Sequence, residues 1–353
     1  MAPYLIVNFI IILSAIIFEV KIKDLNYNKI SILYLSIIGI LLTLFSGLRG
    51  DFTSDYKAYS YLFHFYNDFN FKKIFTYNFG QEIGYVILNK IVGILTNNVV
   101  FIMLLTSLII VVLYFKEIKR DSVCIWLSVL LFTTIGQYYI SFNLIRQIIS
   151  AGIIFSGSRF LYKRDFKKYL VIIIIASLFH KTAAIMVVFY FILNQKFNFK
   201  KILLVILGTI IFFDFTNIIL AFIQKFFYSY YNQSDYGMSG FSLNNIILPV
   251  AILAFVILNK NYIELNNNKV NIWTNAVVFY TFFTILGLRV QMIERLANFF
   301  SPYVLLLIPY IIMNMKDKCS KNIYILIFVF MSLVYCYYAY SGTGYDPFYF
   351  IWA

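Results

Sequence analysis

Runs of about 18–20 apolar residues recur along the chain, separated by short polar or charged stretches. The hydrocarbon core of a bilayer takes roughly 20 such residues as one helix. Backbone in lipid must satisfy its own hydrogen bonds, so repeated runs of this length mean repeated helices. Ten are clear: 3–20, 30–47, 99–115, 123–140, 143–162, 202–220, 245–259, 272–288, 296–314 and 323–340. The chain is 62% hydrophobic and 12% charged, about half the charged fraction of a soluble domain. That excludes secreted disulfide scaffolds and soluble nucleic-acid binders. The formal charge of +14 does not reverse the second exclusion, because its lysines and arginines sit in short clusters between apolar runs. Cys124, Cys319 and Cys336 have neither metal-ligand nor redox spacing. Residues 1–20, apolar almost from the start and without a basic leader, read as a retained first span.

Basic clusters mark the cytoplasmic ends of spans. They occur around Lys21–Lys29, Lys116–Arg120, Lys163–Lys168, Lys196–Lys201, Lys260–Lys269 and Lys316–Lys321. Keeping the third and fourth on one side requires 169–193 to go out and return as two short helices, with His180 at the outer turn. Segment 81–97 carries Glu82, Asn89, Lys90, Gly93 and Asn97 near one helical face, which predicts an amphipathic helix at the outer interface. The expected fold is all-α: a polytopic integral membrane protein with about 12 transmembrane helices, both termini outside. Residues 1–353 form a single multi-span domain, with outer loops at 48–80 and 221–244. The first loop is too rich in Phe and Tyr to be disordered and should fold onto the membrane surface.

No glycine-rich phosphate loop, H-E-x-x-H or D-x-D pair is present. Nucleotide-driven chemistry is therefore not expected, nor is a cofactor or a metal site. The cytoplasmic loops are too short for a folded domain, which puts the chemistry in the membrane or at its outer face.

Four of the seven arginines, Arg49, Arg146, Arg289 and Arg295, fall on the outer side, against the inside bias. An outer anionic ligand would produce that pattern. Arg49 follows a span in Leu48-Arg49-Gly50-Asp51, where a guanidinium either grips a phosphate bidentately or snorkels to the headgroups. Arg146 opens a helix at its outer end, a costly place for charge that reads as functional. His180, in Phe179-His180-Lys181, can move a proton to or from a hydroxyl, or be a buried imidazole bonded to a carbonyl. Arg289, Glu294 and Arg295 form either a ligand cluster or a surface ion-pair cluster. Tyr228, Tyr230, Tyr231, Asn232, Asp235 and Tyr236 suit sugar rings or an aromatic interface belt. His64 reads as structural.

Arg-Gly-Asp-x-x-x-Asp-Tyr at 49–56, Glu82-Ile83-Gly84-Tyr85, Arg146-Gln147 and Phe179-His180-Lys181, in that order, resemble the EpsG-like branch of the Wzy-type polysaccharide polymerases of the bacterial cytoplasmic membrane. The resemblance implies a metal-independent inverting glycosyltransferase. It would move a growing glycan from undecaprenyl diphosphate onto the terminal sugar of another lipid-linked repeat unit, and would work beside a flippase and a chain-length regulator. Carried over, Arg49, Arg146, Arg289 and Arg295 would hold the donor diphosphate. His180 or Asp55 would take the acceptor proton, while Asp51, Glu82 and Glu294 orient sugars or loop. The rival reading is a flippase of lipid-linked oligosaccharides. Its basic residues should be spread through the helices, whereas here they gather at the outer edge.

Overall fold

The computed structural model describes the chain except residues 23–26, 77–81, 136, 201, 203–206, 210, 213–214, 216–217, 219–243, 289–290, 342–343 and 353. The described chain is helical. Its first part comprises α1 (Ala2–Ile22), α2 (Tyr27–Gly47), α3 (Tyr56–Asn67), α4 (Phe71–Thr76), α5 (Ile83–Leu95) and α6 (Val99–Asp121). Next come α7 (Ile125–Thr134), α8 (Gln137–Ile140), α9 (Ile145–Ser156), α10 (Ser158–Tyr162), α11 (Phe166–Ser177) and, after a 3-10 turn at Lys181–Ile185, α12 (Met186–Leu193). The last part comprises α13 (Asn244–Leu258), α14 (Asn268–Gly287), α15 (Gln291–Ala297), α16 (Val304–Met313) and α17 (Lys318–Tyr340). The only β pairing among the described residues is a bridge between Arg49 and Phe350.

Five helical stretches are long and apolar enough to cross a membrane: Asn28–Gly47, Val99–Asp121, Asn268–Gly287, Ile293–Met313 and Lys318–Tyr340. Shorter apolar helices accompany them, including Ala2–Phe18, Ile125–Thr134 and Ile246–Leu258. Several of the apolar runs in the sequence are thus broken helices rather than continuous ones; 123–140 is α7 and α8, and 143–162 is α9 and α10. Helix α7 runs through the middle, with Leu127 to Thr134 all buried. Its Ser128 hydroxyl donates to Leu305 O at 2.6 Å and its Thr133 hydroxyl to Asn8 Oδ1 at 2.7 Å, pinning α16 and α1 to it. Helix α17 lies at the periphery, with Ile323, Leu326, Phe330 and Tyr338 exposed. Such an all-round apolar surface is stable only against lipid or another protein.

Helices α11 and α12 form the expected hairpin. Phe166, at the start of α11, contacts Tyr190 and Phe191 near the end of α12, with ring centroids 4.9 and 5.3 Å apart. His180 therefore lies at the turn. At the opposite end Arg120 reaches Ser158, Lys269 reaches Asp121, Asn268 reaches Tyr162 O and Asn271 reaches Gln195 O. The basic clusters of α6, 163–168, 194–200 and 260–269 thus share one end. Asp165, Asn267 and Asp317 cap helices that begin in this basic region by accepting from Lys168, Lys269 and Ser320 amides.

At the other end the described part of the 48–80 segment is ordered as expected and largely helical, built from α3 and α4. The next segment shows which way its amphipathic helix is turned. Helix α5 is amphipathic, but its polar side faces the protein: Asn89 is buried and Lys90 Nζ donates to Asn67 O at 2.9 Å, while Ile91, Ile94 and Leu95 face outward. In an apolar surround the polar face is the one that needs partners, so it turns inward. Segment 221–244 lies, but for Asn244, outside the described residues.

Candidate functional site

Glu82, Arg146 and His180 come from three segments far apart in the chain, and the fold brings them together. Glu82 precedes α5, Arg146 opens α9, and His180 ends the α11 turn. The close approach is made at Gly84, whose amide donates to Leu178 O at 2.8 Å. A Cβ at 84 would stand 2.7 Å from that backbone oxygen, inside contact distance, so the position needs glycine. This contact holds Glu82 against His180.

One carboxylate serves a guanidinium and an imidazole. Glu82 Oε2 accepts from Arg146 Nη1, and its Oε1 lies 3.2 Å from His180 Nδ1. The Glu82 and His180 side chains are each 10% exposed and Arg146 is 26% exposed. Burial opposes the charge of Glu82, but the His180 contact and the Arg146 charge outweigh it and hold the carboxyl at about 2. Both ring nitrogens of His180 are buried without a well-aligned hydrogen bond among the described residues, Nδ1 despite its approach to Glu82 and Nε2 with no partner. Tyr59 stands beside the Arg146 guanidinium and donates from its hydroxyl to Asn143 O at 2.8 Å. This ties the inner face of α3 to the start of α9.

The remaining candidates surround this cluster without joining it. Asp55 is half-buried, and its amide donates to Asn143 Oδ1 at 3.4 Å, so it sits beside the Arg146 segment. Arg49 is 1% exposed and spends its guanidinium on backbone: Nη1 donates to Ser46 O at 2.5 Å and Nη2 to Phe142 O at 3.0 Å. Its plane also lies over the Phe142 ring, 4.9 Å from the centroid. In this structure Arg49 therefore clamps the end of α2 to the approach to α9 rather than facing an open surface. Arg295 is half-buried, and its carbonyl accepts from Gln147 Nε2, the residue after Arg146. Glu294 packs on Gly287. Arg289 lies outside the described residues.

A C-terminal strap, marked by neither periodicity nor charge, also shapes this end. Gly50 N donates to Tyr349 O at 2.8 Å and Ile351 N to Leu48 O at 3.1 Å. Phe348 stacks on Phe45 with centroids 4.3 Å apart, and the Tyr349 hydroxyl donates to Asp51 Oδ1 at 2.5 Å. That hydrogen bond holds the exposed Asp51 carboxyl below its usual range. The strap thus fixes the loop that leads from Arg49 to Asp55. The aromatic residues of 344–352 after the last apolar run were the one available hint.

No curated protein and no solved structure matches this chain significantly. A family model does, and over nearly the whole length. It spans residues 32–350 and thus takes in Arg49, Glu82, Arg146, His180 and most of the strap. On that match the chain is a membrane protein of a polysaccharide-biosynthesis family, and it belongs to the EpsG family.

Proposed function

We propose that the protein is a polysaccharide repeat-unit polymerase of the bacterial cytoplasmic membrane, crossing it about twelve times with both termini outside. Its substrates are glycans on undecaprenyl diphosphate, and the reaction takes place at the outer face. The observation that carries the reading is the Glu82–Arg146–His180 cluster: a buried imidazole nitrogen without a partner among the described residues, beside a guanidinium, both on one carboxylate.

The chemistry follows from those groups. A hydroxyl of the acceptor's terminal sugar gives its proton to His180 Nε2 as its oxygen attacks the anomeric carbon of the donor glycan. The bond from that carbon to the lipid diphosphate breaks, with inversion. Arg146 then meets the charge that develops on the departing diphosphate, as a pre-placed donor in a water-poor site. Glu82 keeps the imidazole oriented and stabilises it once protonated, the role a carboxylate plays behind a catalytic histidine. Arg49 acts indirectly, by fixing the Phe142–Arg146 segment.

The test uses purified protein in liposomes with short lipid-linked repeat units and no nucleotide. A ladder of longer glycans, with one lipid diphosphate released per step, is the expected result. His180→Asn should abolish the ladder while Asp55→Asn keeps it, and the reverse would move the base to Asp55. Movement of labelled lipid between leaflets without a ladder would overturn the reading in favour of a flippase.

A further inference from the structure

The outward side of α3 differs from the lipid-facing surfaces of the molecule. Helix α1 shows lipid what such a face requires, with Ile6, Phe9, Leu13, Ile16 and Ile17 exposed in a row. On α3 the outward stripe is Lys57, Ser60, Tyr61 and His64, at helical spacing i, i+3, i+4, i+7, with Ser60 half-buried and the other three exposed. These four, with Asp51 and Tyr56, line an open groove of about 360 Å³, and no aliphatic side chain among the described residues lines it. That volume is in the range of small-ligand sites.

The groove combines two kinds of contact. Tyr61 is 67% exposed, and its ring is held by stacking on Phe65, with centroids 5.9 Å apart and planes 16° from parallel. An aromatic ring in a fixed orientation offers a flat apolar face. Around it stand an ammonium, a carboxylate, a hydroxyl and an imidazole, with Lys57 Nζ 3.6 Å from Asp51 and Tyr349 bonded to the other Asp51 oxygen. Sugars present this same mixture, C–H faces that stack on aromatic rings and hydroxyls that both donate and accept. From Lys57 to His64 the stripe rises about 10 Å, room for more than a single sugar. The opposite face of the helix carries Tyr59, which stands beside Arg146.

We propose that this groove binds the glycan of the acceptor and guides its sugar end past the start of α3 toward Arg146 and His180. The identity of that glycan rests on the polymerase reading; the presence of a saccharide site on α3 does not.

The test is equilibrium binding, independent of turnover. Short end-labelled oligosaccharides, cleaved from the polysaccharide of the producing cells and free of lipid, are titrated into the full chain in detergent. The wild type should bind them, Tyr61→Ala should weaken binding about tenfold or more, and Tyr61→Phe should restore it, because the stacking face returns. Ser60→Trp, which fills the groove from its floor, should also abolish binding, with both variants checked for unchanged thermal unfolding. Equal binding by wild type, Tyr61→Ala and Ser60→Trp would overturn the proposal, as would no binding by the wild type. If the liposomes make no ladder but Tyr61→Ala still loses the oligosaccharides, the polymerase reading falls and the saccharide site stands. A ladder with binding insensitive to both variants removes the site alone.

Discussion

Two buried charge clusters stand at opposite ends of the molecule, and they are built differently. At the basic end Glu117 and Asp121, both with fully buried side chains, meet Arg120 and Lys269. Ser158 bridges Glu117 and Arg120, and Tyr162 lies under both cations. Two acids face two bases, contributed by α6 and α14, with α10 closing the network. At the other end a single carboxylate, Glu82, faces an arginine and a histidine, and Arg49 is buried close by. The first cluster is balanced and ties helices together. The second gathers an arginine and a histidine on one acid from three separate segments. Buried ion pairs are weak evidence for stability on their own, so the difference in charge balance says more than the count of contacts.

The strongest way to break this contrast is Arg146→Ala. If the outer cluster serves a ligand, ladder formation should fall on the order of 10³-fold, about 4 kcal/mol of transition-state stabilisation, with the protein still inserted and folded. Arg146→Lys should recover only part, since an ammonium cannot grip two oxygens in a fixed fork. Wild-type chain lengths from Arg146→Ala would end the assignment. The converse substitution is Arg120→Met, which leaves Glu117 buried with a hydroxyl for company. It should cost roughly 3 kcal/mol or more of stability in detergent, seen as a lower unfolding midpoint, while turnover per folded molecule stays unchanged. A drop in turnover at constant stability would show that the basic end is not merely a brace.

Much of this contrast was legible in the sequence as separate parts. Arg146 and His180 stood out because charge in or beside an apolar run is costly, and the spacing of the basic clusters required a turn at His180. Their meeting with Glu82 was not legible, because no periodicity links residues 64 and 98 positions away from one another. Helix α5 shows a second limit. Its pattern revealed two faces but not which was wet, and with an apolar surround the sense reverses. Arg49 shows a third: whether a guanidinium faces a phosphate or the carbonyls of Ser46 and Phe142 depends on where the chain brings those carbonyls. The strap at 344–352 has neither period nor a charge cluster, and its position comes from partners far off in the chain, the backbone of Leu48 and Gly50, the Phe45 ring and the Asp51 carboxylate.

The acid dependence of Glu82 separates the two ends in a different way. Its carboxyl is near 2 in the folded protein against an ordinary 4.5. A depressed carboxylate stabilises the fold at pH above its unfolded value, and that contribution is lost as the pH falls through the folded value. Between about pH 4.5 and 2 the wild type should therefore lose on the order of 3 kcal/mol of stability from this group. Glu82→Gln should remove that slope and lower stability at neutral pH. An unchanged acid profile in Glu82→Gln would mean that Arg146 and His180 do not hold the carboxylate.

The smallest expected effect tests whether the balance of the basic end is itself important. Lys269 Nζ lies 2.6 Å from Asp121 Oδ1, but its side chain is 45% exposed, so water screens the pair. Lys269→Met should cost less than about 1 kcal/mol, because Arg120 still bonds Asp121 Oδ2 at 2.7 Å and the methionine stem keeps its packing on Tyr162. The measurement is thermal unfolding in detergent at two salt concentrations, with a wild-type difference that shrinks as salt rises. A loss as large as that of Arg120→Met would show that Asp121 needs both cations. The basic end would then be a tightly coupled network in which both cations are needed, and the contrast with the single carboxylate of Glu82 would become sharper.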